Sequence, residues 1–259
     1  MSDHSAIEWT SATWNPVRGC TKISAGCKNC YAETFSERFR GVPGHPFEQG
    51  FDLRIVEEAL QLPLSWRKSR RVFVNSMSDL FHEDLPTSFI SRVFKTMRQA
   101  SQHQFQVLTK RAERMVLFAD RNEIPPNVWM GVSVENADYR WRLDHLRRVA
   151  AHVRFLSIEP LIGPVGTLDL RDIHWVIVGG ESGPRARTMD EDWVRHIHLQ
   201  CRKAKVPFFF KQWGGVQKSR NGRELGGRTW DEMPSIADPP CALDRTRLPG
   251  DGKRIKARD

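Results

Sequence analysis

The sequence predicts an α/β fold, a partial or full parallel (β/α) barrel of the TIM-barrel type. Three observations predict it. Short apolar runs of strand length alternate with stretches whose apolar residues recur at helical spacing. The runs are apolar throughout, as strands buried on both faces of a parallel sheet require. A chain of 259 residues is long enough for one barrel domain. A doubly wound open sheet is the alternative reading of the same alternation.

Taken in order, residues 6–14 offer a short first strand, broken by Asn15-Pro16. Residues 28–40 suit a helix, with Tyr31, Phe35 and Phe39 on one face. Residues 41–53 have no period and read as an insertion, and a helix over 54–61 stops before Pro63. Further strands are expected at 71–75, 105–108, 128–132, 153–156, 175–178 and 207–210. The intervening helices follow Pro86 (Phe89, Ile90, Val93, Phe94 and Met97 apolar), run to about Phe118, span Tyr139 to Ala150, and start at Asp190. The barrel domain is expected to occupy 1–215. From residue 216 to 259 Gly, Pro, Arg and Asp dominate, and this segment is expected to be a lid over the barrel mouth or a partly disordered tail.

Lys and Arg number 40 against 31 Asp and Glu, a formal charge of +9, which favours a polyanionic partner such as nucleic acid over a membrane. The N-terminus has no apolar signal region, and no apolar run reaches the ~18 residues of a membrane span. A cytoplasmic, reducing location follows as the expectation, and there clustered cysteines serve as metal ligands or catalysts rather than disulfides.

Three of the five cysteines, Cys20, Cys27 and Cys30, lie in one glycine-bearing loop with the spacing C-x6-C-x2-C. Two readings fit. Three thiolates hold an iron–sulfur cluster with one iron left open. Alternatively the loop holds structural zinc, with a fourth ligand from Cys201, Cys241 or one of nine histidines.

Each predicted strand ends in a polar cluster: Asn75, Ser76 and Asp79; Thr109, Lys110 and Arg111; Ser133, Glu135 and Asn136; Ser157 and Glu159; Glu181 and Ser182; Lys211 and Gln212. A parallel barrel gathers these on one rim, where such enzymes build their active sites. Acids Asp79, Glu135, Glu159 and Glu181 there face bases Lys110, Arg111 and Lys211, a mixture suited to a zwitterionic or phosphate-bearing ligand. The loop Gly179-Gly180-Glu181-Ser182-Gly183 lets backbone approach a ligand, although it is neither a P-loop nor a full G-x-G-x-x-G.

A three-cysteine loop after the first strand of a (β/α) barrel resembles the radical S-adenosylmethionine (radical SAM) superfamily. The motifs WNPVRGCTKISAGCKNCYAE, VNSMSDLFH, LTKR, GVSVEN, SIEPLIGP, VGGESGPRAR and FKQWG more closely resemble an uncharacterised family of phages and bacteria known for its three-Cys motif. That resemblance runs from about Ile7 to Gly215 and speaks of kinship rather than activity. The superfamily's usual spacing is C-x3-C-x2-C with an aromatic residue before the last cysteine. Here the first gap is six, Asn29 precedes Cys30, and Tyr31 follows it.

The superfamily resemblance implies a [4Fe–4S] cluster on Cys20, Cys27 and Cys30. Its open iron would bind the amino and carboxylate groups of S-adenosylmethionine, which reduction cleaves to a 5′-deoxyadenosyl radical. Asp79, Ser133, Glu135, Glu159 and Glu181 would line the cofactor pocket. Lys110, Arg111, Arg185, Lys211 and Trp213 would meet an anionic substrate, a nucleotide or nucleic acid, with Trp14 and Trp213 placed to stack on bases. An external electron donor is implied as partner. The alternative is a non-enzymatic, zinc-containing nucleic-acid-binding protein.

Overall fold

The computed structural model describes residue 5 and residues 7–235. Seven parallel strands form one sheet: β1 (Ala12–Trp14), β2 (Arg71–Val74), β3 (Gln104–Thr109), β4 (Val128–Ser133), β5 (Arg154–Ile158), β6 (Trp175–Gly179) and β7 (Phe208–Gln212). Each pairs with its neighbours in sequence, so the order along the sheet is the order along the chain. A doubly wound sheet reverses direction at a switch point. This one never does, and it curls instead into a partial barrel left open between β1 and β7.

The helices are α1 (Tyr31–Ser36), α2 (Thr87–Gln99), α3 (Ala112–Ala119), α4 (Trp141–Arg147), α5 (Glu191–Ala204) and the one-turn α6 (Lys218–Asn221). The buried residues of α2 to α5 join the outward strand residues, such as Val72, Val107, Val132 and Val178, in one apolar cluster on the convex side. The amphipathic pattern sets this: Phe89, Ile90, Val93, Phe94 and Met97 share one face of α2 and are all buried. Asp190 caps α5 by accepting from the Asp192 amide at 2.8 Å, and Lys205 ends it in the left-handed region.

The concave side is a separate cluster of Trp9, Phe73, Trp129, Val153, Phe155, Trp175, Ile177 and Phe209. These rings fill the N-terminal half of the barrel and leave the C-terminal half open. Gly131 makes the floor possible, because a Cβ there would lie 2.5 Å from the Phe155 ring.

Two segments depart from expectation. The first strand keeps only three residues, since the Thr10 and Ser11 hydroxyls donate to the Arg71 carbonyl and end the pairing there. Residues 54–61 do not make an α-helix. Arg54–Ile55 pairs antiparallel with Val17–Arg18, and two 3-10 turns follow, the second carrying Pro63. Residues 216–235 carry the short helix α6 (Lys218–Asn221) and a hairpin in which Glu224–Leu225 pairs antiparallel with Arg228–Thr229. After the hairpin the chain runs along the edge of β7, where Asp231 bridges Phe209, the Trp230 carbonyl accepts from the Phe210 amide, and the Trp175 indole donates to the Glu232 carbonyl. Leu225 and Trp230 supply the apolar anchors. Residues 236–259, with Cys241, lie outside the described residues. Among the described residues no helix is long and apolar enough to cross a membrane.

Candidate functional site

The open half of the barrel holds a cavity of about 540 Å³, within the usual range for small-molecule sites. Cys20, Cys27 and Cys30 line it from one side, all half-exposed. The strand ends line it from the other, through Asp79, Lys110, Arg111, Ser133, Glu159, Glu181 and Lys211. Ten residues expected at the site from sequence therefore share one cavity.

The cysteine loop is stapled to the strand ends at several points. Gly19 opens it with φ +78° and packs so closely on the Asp52 carbonyl that no side chain fits. Beyond it the Arg111 guanidinium donates to Cys20 Sγ at 3.4 Å and to Thr21 Oγ1 at 2.8 Å. The Ser24 hydroxyl donates to Glu135 Oε1 at 2.5 Å, and the Ala25 amide donates to the Tyr139 hydroxyl at 2.9 Å. The Asn29 amide donates to Glu181 Oε2 at 3.0 Å and to the Arg185 carbonyl at 2.8 Å. Cys30 stands at the N-cap of α1, and the Tyr31 hydroxyl donates to the Ser76 carbonyl at 2.5 Å.

Every acid of the site is matched to a cation. Asp79 accepts from Thr109 Oγ1 at 2.7 Å, from the Lys110 amide at 3.1 Å, and from Arg111 at 3.3 Å. Glu159 pairs with Lys211 at 3.2 Å and accepts from the Ser157 hydroxyl at 3.3 Å. Gly179, between their strands, leaves room for the Glu159 carboxylate, which a Cβ would strike. Glu181 accepts two bonds from the Arg187 side chain, at 2.9 and 2.5 Å. Burial alone would raise the Glu181 carboxyl, but the bonds from Arg187 and Asn29 outweigh it and hold it below the ordinary carboxylate range.

Thiol acidity follows burial. The Cys20 thiol is pushed up to about 11, chiefly by desolvation and then by Asp79, with Arg111 pulling the other way. Burial also raises Cys30, partly offset by backbone amides of Glu33 and Ala32. Free, these are protonated thiols at neutral pH, and a bound metal centre would be what draws them into the thiolate form.

Four expected site residues stand elsewhere. Glu135 is fully buried behind the cysteine loop, against Arg142 at 2.8 Å and Lys110 at 3.7 Å, so it anchors the loop rather than lining the cavity. Arg185 is exposed outside the cavity. Trp213 packs on Phe210 and donates to the Glu224 carbonyl at 2.9 Å. Trp14 is fully buried and donates to the Ala59 carbonyl at 2.7 Å, so it offers no face to a base. Cys201 is buried on α5 in the convex core.

The chain belongs to the family described as Protein of unknown function (DUF5131), which matches residues 4–234. No curated protein matches the chain. Solved structures of spore photoproduct lyase resemble it. One is a double mutant with bound AdoMet and dinucleoside spore photoproduct, at 12% identity and TM-score 0.42, over 74% of this chain and 61% of that one. Another is a cysteine-to-serine mutant, at 11% identity and TM-score 0.47, over 78% of this chain and 64% of that one. The chain thus spans about three-fifths of those proteins' length.

Several residues that build the site carry no motif signal: Arg142, Glu83 and Tyr139. Arg142 alone left a trace in the sequence. It lies three positions after Tyr139 and beside Leu143, an arginine on the apolar side of its helix.

Proposed function

We propose that the protein is an iron–sulfur enzyme of radical SAM type that acts on an anionic substrate, a nucleotide or nucleic acid. The observation that carries this reading is the convergence of three half-exposed thiols on one cavity whose opposite wall is built of paired acids and cations. The donor set fits a cluster. A cube takes three thiolates at three separate irons, so the sulfurs need only face a common volume. A single zinc ion asks for four ligands in one tight shell. Among the described residues no three His, Cys, Asp or Glu side chains converge closely enough to hold one ion.

In this reading Cys20, Cys27 and Cys30 hold a [4Fe–4S] cluster. Asp79, Ser133, Glu159 and Glu181 border the S-adenosylmethionine site, with Lys211 beside Glu159. When bound, the two cofactors supply one-electron bond-breaking chemistry at carbon, with the electron from an external donor. The protein's own part is to hold the loop, to keep the cavity's charges in fixed pairs, and to wall the reacting volume from water with the aromatic floor. The exposed Lys28 and Arg185 outside the paired set are where substrate phosphate would be met.

Anaerobic purification tests the reading. The expected protein is brown, carries about four irons per chain, and releases 5′-deoxyadenosine from S-adenosylmethionine after reduction. Replacing Cys20, Cys27 or Cys30 by Ala should abolish the colour, and replacing Cys201 should not. A colourless protein with one zinc per chain would overturn it.

A further inference from the structure

We propose that Arg111 is a positioning residue for the cysteine-bound centre: its N–H···S bond to Cys20 and its adjacent positive charge set how easily a bound cluster is reduced. This rests on the reading of the three cysteines as cluster ligands. By sequence Arg111 belongs to the substrate's cations, since it closes a strand beside Lys110. Its surroundings in the structure leave it nothing to offer a substrate. Only 9% of the residue is exposed. Nε donates to Glu83 at 2.5 Å, Nη1 to Cys20 Sγ at 3.4 Å and Asp79 Oδ2 at 3.3 Å, and Nη2 to Thr21 Oγ1 at 2.8 Å and the Thr21 carbonyl at 3.3 Å. The planar fork is thus locked from one side by two carboxylates and presents its remaining donors to two consecutive residues of the cysteine loop.

Such a group acts in a definite direction. Reduction adds one electron from the external donor, with no proton, to a centre that is already anionic. A hydrogen bond to a ligand sulfur and a fixed cation at contact distance both favour the more negative state, so they raise the potential. Asp79 and Glu83 work against this, and the guanidinium is the group they hold in place between themselves and the sulfur. A lysine at this position would keep the charge but could not span Glu83, Asp79, Cys20 and Thr21 together.

The test is a redox titration followed by electron paramagnetic resonance on anaerobically reconstituted full-length protein, with iron and sulfide counted per chain. Arg111→Gln, Arg111→Lys and the exposed Arg148→Gln are compared with the parent. At a fixed potential the reduced-to-oxidised ratio should fall roughly tenfold in Arg111→Gln, about 59 mV for a one-electron couple. Arg111→Lys should fall in the same direction by less, and Arg148→Gln should match the parent. A parent-like midpoint in Arg111→Gln overturns the proposal. Should that variant take up no iron, Arg111→Lys decides: a lowered midpoint supports the proposal and an unchanged one overturns it. If the parent itself binds no cluster, the underlying reading fails first, and this inference with it.

Discussion

Arg142→Met is the sharpest probe of how the fold supports the cysteine loop. The Arg142 and Glu135 side chains are 2% and 0% exposed, and their ion pair is 2.8 Å long. Arg142 Nη1 also donates to the Ser133 carbonyl at 2.9 Å, and its guanidinium lies 4.4 Å over the Tyr139 ring. Methionine fills much of the space and removes the charge. It strands a buried carboxylate, which costs about 3–5 kcal/mol when nothing replaces the partner. Lys110 stands 3.7 Å from Glu135 and can close part of the gap, so the low end, about 3 kcal/mol, applies. For a chain of this size that corresponds to a melting temperature lower by roughly 6–12 °C.

The assay is thermal denaturation of Arg142→Met, Glu135→Gln and the double variant, with iron content measured alongside. Glu135 also receives the Ser24 hydroxyl, and a Cβ on Gly26 would lie 2.5 Å from its Cγ, so the carboxylate is in direct contact with the loop between Cys20 and Cys27. The double variant should therefore be less destabilised than the sum of the singles by about 1–3 kcal/mol, and Arg142→Met should lose iron more readily than the parent. A melting temperature within about 2 °C of the parent, or strict additivity, would refute the reasoning.

Two further outcomes are expected. Burial, before any charge effect, holds His82, His103, His174 and His198 below their ordinary value of 6.5, so the unfolded chain binds protons there that the folded chain does not. Stability should accordingly be full above pH 6.5 and decline as pH falls below it, read as a lower urea midpoint at pH 5.5 than at pH 7.5; a flat or reversed dependence counts against it. Gly131→Ala should cost about 1–3 kcal/mol by driving a methyl into the Phe155 ring. Adding Phe155→Leu should recover part of that in denaturant titration, and no recovery would mean the contact is not the cause.

The strands from β2 onward are legible in the sequence to within a residue or two, because a parallel sheet buried on both faces forces continuous apolar runs such as Arg71–Val74 and Trp175–Gly179. Their common rim is legible for the same reason: once the strands are parallel, Asp79, Lys110, Ser133, Glu159, Glu181 and Lys211 must emerge at one end. What the sequence hides is anything fixed by register and curl. Residues 216–235 hold to β7 through isolated anchors, Leu225 and Trp230, that make no period. The burial of Trp14 against Ala59 depends on a turn whose residues read as helical. Which acid meets which cation depends on neighbouring strand ends, and composition says only that the charges nearly balance.

That pairing has a consequence for what the cavity can accept. The Glu159–Lys211 pair faces the cavity with side chains only 15% and 19% exposed, at the ends of β5 and β7 on either side of Gly179. A simple anion reaching Lys211 would break the bridge and leave Glu159 beside a second negative charge in a poorly solvated place. A simple cation would do the same to Lys211. A ligand carrying an ammonium and a carboxylate, or an ammonium and a phosphate, replaces both halves and leaves no charge uncompensated. If the cavity holds a ligand as proposed, the pair would discriminate by charge pattern rather than by net charge. The excess positive charge of the chain, which suggested a polyanion, lies outside it, on exposed residues such as Lys28 and Arg185. On the proposed reading, depth would separate two kinds of recognition: charge-matched pairs within the cavity, and exposed cations such as Lys28 and Arg185 outside it.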